Sequence, residues 1–262
     1  MPTIPVPLRR VHLTRYITPL REGGSMPAIA EADDGFNYVV KFKGAGQGSK
    51  ALIAELIGGE IARVIGLKVP ELVFVDLDEA FGRTEPDEEI QDLLKASTGL
   101  NLALHYLSGA ITYDPVVKQL DELSASKIVW LDALLMNMDR TARNTNMLMW
   151  RNELWLIDHG AALYFHHSGN VWDDKAKQSF ALIKNHVLLK QAKQIEKVSG
   201  ELTQLLNKEI ISDIINQIPD VWLESDLIYS SVEEQRLAYG NYLMNRIQLA
   251  DIFVKEVLDA QK

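Results

Sequence analysis

The chain has 262 residues, 47% hydrophobic and 24% charged, which is enough apolar material for one large domain or two lobes. Its formal charge is -9 and its pI about 5.2, which argues against a broad phosphate-backbone surface and so against general nucleic-acid binding. It has no cysteine, so disulfides, thiolate chemistry and Cys-type zinc sites are excluded, and a reducing, cytoplasmic setting fits.

The opening "MPTIPVPLRR" has no apolar signal core, and no segment approaches the ~20 apolar residues of a membrane span. Residues 11–17 alternate as a strand does, and residues 36–44, "FNYVVKFKG", suit a buried strand with a polar exit. The glycine-rich "REGGSMP" links them. In "SKALIAELIGGEIARVIGL", Ile53, Ile57, Ile61 and Val64 fall on one helical face, and Ser49 is available as a cap. "KVPELVFVDL" reads as a strand. "EAFGRTEPDEEIQDLL" is acidic and reads as a solvated insertion or short exposed helix. "GLNLALHYL" reads as another strand. "GAGQGSK" is not a Walker loop, because its order is Gly48–Ser49–Lys50 rather than Gly-Lys-Ser.

The composition shifts near residues 108–115, and from there the chain reads as mainly helical. Ile128, Leu131 and Leu135 recur at helical spacing. Two apolar runs, 147–150 and 154–157, joined by Arg151, Asn152 and Glu153, read as a tight hairpin. Further on, Ser231 with Glu234 has the form of a capping box. Behind it Leu243, Ile247, Ala250, Val254 and Val257 make one apolar stripe, expected to pack into the core.

The chemistry gathers around the hairpin. Asp139, Asn144 and Asp158 sit on the turns that the hairpin holds at one end. Oxygen donors of this kind suit Mg²⁺, which needs one or two carboxylates plus substrate phosphates. Each residue alone is also a good turn former. Lys41, after Tyr38–Val39–Val40, either turns inward toward a charged partner or shares a solvent face with Lys43. His159, His166 and His167 raise a transition-metal site, but without a His-x-x-x-His pair on a helix that reading is set aside.

The order Asp139–Arg140, Asn144, hairpin, Asp158–His159–Gly160 resembles the catalytic and metal-binding segments of protein-kinase-like folds. It is most similar to HipA-like kinases and also similar to phosphoinositide kinases. "GGSMP" followed by "YVVKF", and "AELIGGEIARVIGLKVPELVFVD", extend the likeness from about residue 21 to about 167. It implies an α+β, two-lobed fold, with a sheet-rich N-lobe (1–107) and a mainly helical C-lobe (108–262). It implies γ-phosphoryl transfer from Mg-ATP to a hydroxyl, expected to be Ser or Thr of a protein. By resemblance, Asp139 is the catalytic aspartate and Asn144 and Asp158 hold Mg²⁺. Lys41 contacts the ATP phosphates, and Glu55 is its ion-pair partner, with Glu60 a rival. Gly23, Gly24 and Ser25 cover the phosphates, and Tyr106 or Leu107 meets the adenine. Asp132 is the alternative to Asp139. Thr141 stands where related kinases often carry a histidine, a place that supports the loop. The short N-terminal part leaves an antitoxin-type partner unsupported. The alternatives are a catalytically silent nucleotide-binding module and a small-molecule or lipid kinase.

Overall fold

The computed structural model describes residues 4–20, 26–83, 85–168, 172, 174–223 and 229–262. Five strands close into a barrel: β1 (Arg9–Pro19), β2 (Ala28–Ala32), β3 (Asn37–Lys41), β4 (Leu72–Leu77) and β5 (Gly99–His105), in the order β1-β2-β3-β5-β4. The closing pair, β1 with β4, is parallel, and the other pairs are antiparallel. Period-two alternation puts Val11, Leu13, Ala30, Val40, Val75 and their neighbours inside. The small interior side chains of β2, Ala28, Ala30 and Ala32, suit so narrow a barrel.

The same alternation divides β4 and β5 between two cores. Val73, Val75 and Ala103 point into the barrel, while Leu72, Leu102 and Leu104 join a second, larger core. That core begins with α1 (Gly48–Val64). This helix is buried nearly all round, including Glu55 and Glu60, and not along one face as the spacing of its isoleucines implied. It lies between the barrel and the helices that follow. Its N-cap is Gln47 with no side-chain cap bond, so Ser49 is not the cap. Of the two readings of segment 79–94, the short helix is the one found, with its apolar side buried. It is α2 (Glu88–Ala96), capped by Asp87, whose Oδ1 accepts from Glu89 N at 3.0 Å, and Ile90, Leu93 and Leu94 plug the barrel core.

The helix α3 (Glu122–Leu135) starts at Asp121, which accepts from Ser124 N at 2.9 Å. It ends at Met136 in the left-handed region, φ 52°. A three-stranded sheet follows, β6 (Ile111–Thr112) on β7 (Met147–Trp150) on β8 (Glu153–Leu156), and β6 had no sequence signal. The hairpin turn is two residues, not three. Arg151 (φ 50°) and Asn152 (φ 64°) carry it, and Trp150 already pairs with Glu153. Positive φ at both positions gives the turn whose twist matches the strands. Short 3₁₀ turns lead to α4 (Ile195–Leu205), α5 (Lys208–Ile215), α6 (Asp220–Leu223), α7 (Val232–Gln248) and α8 (Ala250–Ala260). Ser231 caps α7 through Glu234 N at 3.2 Å, but the Glu234 carboxylate reaches back to Ser230 N, one residue further than a capping box requires. The apolar stripe is split by a break at Leu249, with all five residues buried in the second core. Among the described residues, no helix is long and apolar enough to cross a membrane.

Candidate active site

Lys41 ends β3, and strand register decides where it points. Tyr38 and Val40 fill the barrel, so Lys41 faces outward. It pairs directly with Leu102, and paired residues share a face. Leu102 packs into the core that α1 covers, so the outward face is sheltered and Lys41 is only 13% exposed. Its Nζ donates to Asp158 Oδ1 at 2.6 Å and lies 3.6 Å from Glu55 Oε2. Burial works against the ammonium charge, but Glu55 and Asp158 outweigh it and raise the pKa.

Glu55, on α1, is 1% exposed. Burial pushes its carboxyl up, but Lys41 and then His159 outweigh that and hold it at about 2. Its Oε2 also accepts from the His159 backbone N–H at 3.0 Å, so one carboxylate ties α1 to both β3 and the 158–160 turn. Gly58 permits this closeness, since a Cβ there would stand 2.6 Å from His159 Cβ. Glu60 is not the lysine's partner. It pairs with Arg63 at 3.3 Å, and burial raises its pKa.

Asp158 follows β8 in the left-handed region, φ 56°. Ile157 N donates to Asn146 O at 3.1 Å, which continues the hairpin pairing one step and sets Asp158 beside the loop before β7. In that loop Thr141 N donates to Asn144 O at 2.9 Å, drawing the loop closed. Asp139 Oδ2 accepts from Asn144 Nδ2 at 2.8 Å and from Asn146 Nδ2 at 3.1 Å. Both amides use one oxygen, and among the described residues Asp139 Oδ1 takes no hydrogen bond.

Beneath the loop, Asp132 of α3 is fully buried. It accepts from Arg140 Nε at 2.6 Å, His186 Nε2 at 2.8 Å and Asn137 Nδ2 at 2.9 Å. Leu188 N donates to His186 Nδ1 at 3.0 Å, so the imidazole proton sits on Nε2 and points at Asp132. Burial would raise the Asp132 pKa, but Arg140 and His186 hold it well below the usual carboxylate range. Asp132 is therefore committed to the scaffold and is not a rival to Asp139.

A family model described as HipA-like kinase matches residues 13–253. The chain belongs to the HipA-like kinases. No curated protein matches it. Among solved structures, the chain is similar to the Golgi casein kinase with Mn/ADP bound, at TM-score 0.52 and 14% identity, over 99% of this chain and 74% of that one. It is also similar to the Helicobacter pylori proinflammatory kinase CtkA, at TM-score 0.52 and 13% identity, over 97% and 98%. The fold is thus α+β and kinase-like, as the hairpin motif implied.

Gly23, Gly24 and Ser25 lie outside the described residues. Tyr106 N donates to Asn37 O at 2.9 Å and Tyr106 O accepts from Ser108 N at 3.1 Å, so its backbone is already paired; Leu107 is buried beside it. His166 and His167 lie in a 3₁₀ turn, with Nε2 atoms 3.0 Å apart, and His166 Nδ1 meets Tyr239 Oη at 3.0 Å. Burial, then His167 and Lys50, push the His166 pKa well down. Among the described residues no group of three His, Asp or Glu is placed to hold a metal. The oxygen donors Asp158 and Asn144 fit a hard cation that arrives with phosphates. Asn146, one of the residues crowding the turn before the hairpin, has no site role in the sequence reading. Its signal was an asparagine directly before a strand, a residue that tolerates the left-handed φ of 48° found there.

Proposed function

We propose that this HipA-like kinase transfers the γ-phosphoryl group of Mg-ATP to a Ser or Thr hydroxyl of a protein. The reading rests on one observation: Lys41 is held between Glu55 and Asp158, next to a loop that presents Asp139. Residues 1–107 would form the nucleotide lobe and 108–262 the acceptor lobe, with ATP between them. Asp158 and Asn144 would hold Mg²⁺, which when bound neutralises phosphate charge. Nucleotide entry exchanges the Lys41–Asp158 contact for phosphate oxygens while Glu55 keeps the ammonium in place. Gly23, Gly24 and Ser25 would cover the phosphates. Tyr106 or Leu107 would meet the adenine.

Asp139 supplies the remaining part. Two amides fix its Oδ2, so Oδ1 is the oxygen that meets the acceptor hydroxyl, orients it in line and takes its proton as the new P–O bond forms and the bond from the γ-phosphorus to the bridging oxygen breaks, that oxygen leaving with ADP. Catalysis of this kind is positioning plus charge stabilisation. The test is incubation of the pure protein with labelled Mg-ATP, with and without cell lysate, beside thermal unfolding with nucleotide. Mg-ATP should raise the melting temperature, and ATP with chelator should raise it less. Label should appear on protein and be stable as a phosphoester. A shift without transfer would instead favour a silent nucleotide-binding module, and transfer to lipid or small molecules alone would overturn the protein acceptor.

A further inference from the structure

A basic segment lies directly against the loop that carries Asp139. Residues 175–193, "KAKQSFALIKNHVLLKQAK", contain five lysines and no Asp or Glu, in a chain whose formal charge is -9. The segment is docked on the loop by backbone. Thr141 forms an antiparallel bridge with His186, and Val187 N donates to Arg140 O at 3.1 Å. Buried His186 also anchors it from below through Asp132. Arg143 and Lys184 each lie two residues from this bridge, Arg143 in the loop and Lys184 in the 3₁₀ turn Ala181–Asn185. Both are exposed. Arg143 is next in sequence to Asn144, whose amide touches Asp139.

Two of the lysines make surface ion pairs. Lys177 pairs with Asp174 at 3.0 Å and Lys193 with Glu122 at 3.6 Å. Arg143, Lys184 and Lys190 make no ion pair among the described residues. No ion pair among the described residues offsets these two like charges, each carried two residues from one bridge. An acidic occupant would. Because the patch borders the proposed acceptor site, its occupant is the acceptor.

We infer that the acceptor of this kinase is an acidic protein segment, with Asp or Glu beside the phosphorylated hydroxyl meeting Arg143 and Lys184. The inference rests on the protein-kinase reading above. A solvated pair contributes little each, and the gain from several acidic residues comes as tighter binding and faster encounter.

The experiment uses equal-length serine peptides with Glu, Gln or Lys around the acceptor, at low and high salt, on the full chain and on Lys184→Glu and Arg143→Glu/Lys184→Glu. For the wild type, KM should fall by about threefold per Glu relative to Gln at low salt, and the gap should narrow as salt rises. The double variant should prefer the Lys peptide, an inversion that loss of folding cannot produce, and a retained Mg-ATP thermal shift confirms its fold. Equal KM for Glu and Gln peptides overturns the inference while leaving the kinase reading intact. So does an equal loss on all peptides in the variants, or single-stranded RNA displacing the Glu peptide at lower concentration than free Glu peptide does. Absence of both nucleotide shift and any transfer overturns the kinase reading and this inference with it.

Discussion

Glu55→Gln isolates the ion pair on which the site is built. The amide keeps the size of the side chain and an oxygen for the His159 N–H, and removes the charge 3.6 Å from Lys41. In the folded protein Glu55 sits at about 2, against its ordinary value of 4.5. At about 1.4 kcal/mol per pKa unit, its ionised form contributes on the order of 3 kcal/mol. The folded pKa is depressed, so this stability is fully present above pH 4.5 and is lost as pH falls from there toward 2. Lys41 retains Asp158 in the variant, so the deficit at pH 7 should be about 2–3 kcal/mol, below the ~3–5 of a buried charge left alone. Urea unfolding of wild type and variant from pH 7 to pH 2.5 measures it. The two curves should lie apart at pH 7 and converge in acid. A deficit that stays constant between pH 7 and 3, or no deficit at pH 7, would refute the pairing. Glu60→Gln is the control and should not reproduce the convergence, because burial raises the Glu60 pKa.

Gly58→Ala should lower stability by about 1–3 kcal/mol and cut activity, because its Cβ would meet His159 Cβ at 2.6 Å and push the 158–160 turn off α1; thermal unfolding and turnover check it, and a neutral result means the turn gives way freely. Asp132→Asn should cost about 3–5 kcal/mol, since it leaves the Arg140 charge buried beneath the loop, and near-wild-type unfolding would show that this cluster does not hold the loop. Asp158→Ala should abolish transfer and remove the Mg²⁺-dependent part of the nucleotide thermal shift. Full activity there, combined with loss in His166→Ala or His167→Ala, would move the metal to the histidines.

Local pattern carried much of the architecture. The alternation of residues 11–17, the helix beginning near residue 48 and the hairpin at 147–156 all follow from short-range periodicity and turn chemistry. The Asp139–Asn144 contact and the return of residue 157 to the loop before β7 were legible because a hairpin brings its two flanks together. What stayed hidden depends on pairings across the chain. Lys41 could not be placed from parity alone, because the face it shares with Leu102 is outward from the barrel yet covered by α1. The burial of α2 was masked by its acidic surface, with three apolar residues enough to dock it. The Asp132–Arg140–His186 cluster joins residues 54 positions apart, and no local signal marks a carboxylate as scaffold or catalyst. Asn146 reads as a turn residue until its amide is seen on Asp139.

In the proposed reaction Asp139 acts on the acceptor and not on the nucleotide, and Asp139→Asn separates the two. The variant can keep its carbonyl oxygen toward the Asn144 and Asn146 amides, so the loop should hold, but the group left for the acceptor donates a hydrogen bond and cannot take a proton. The measurement is single-turnover transfer of labelled phosphate from Mg-ATP, with the Mg-ATP thermal shift recorded on the same preparation. The expected result is a shift close to wild type with transfer reduced by ~10²–10⁴-fold. A preserved shift with transfer at the wild-type rate would contradict it.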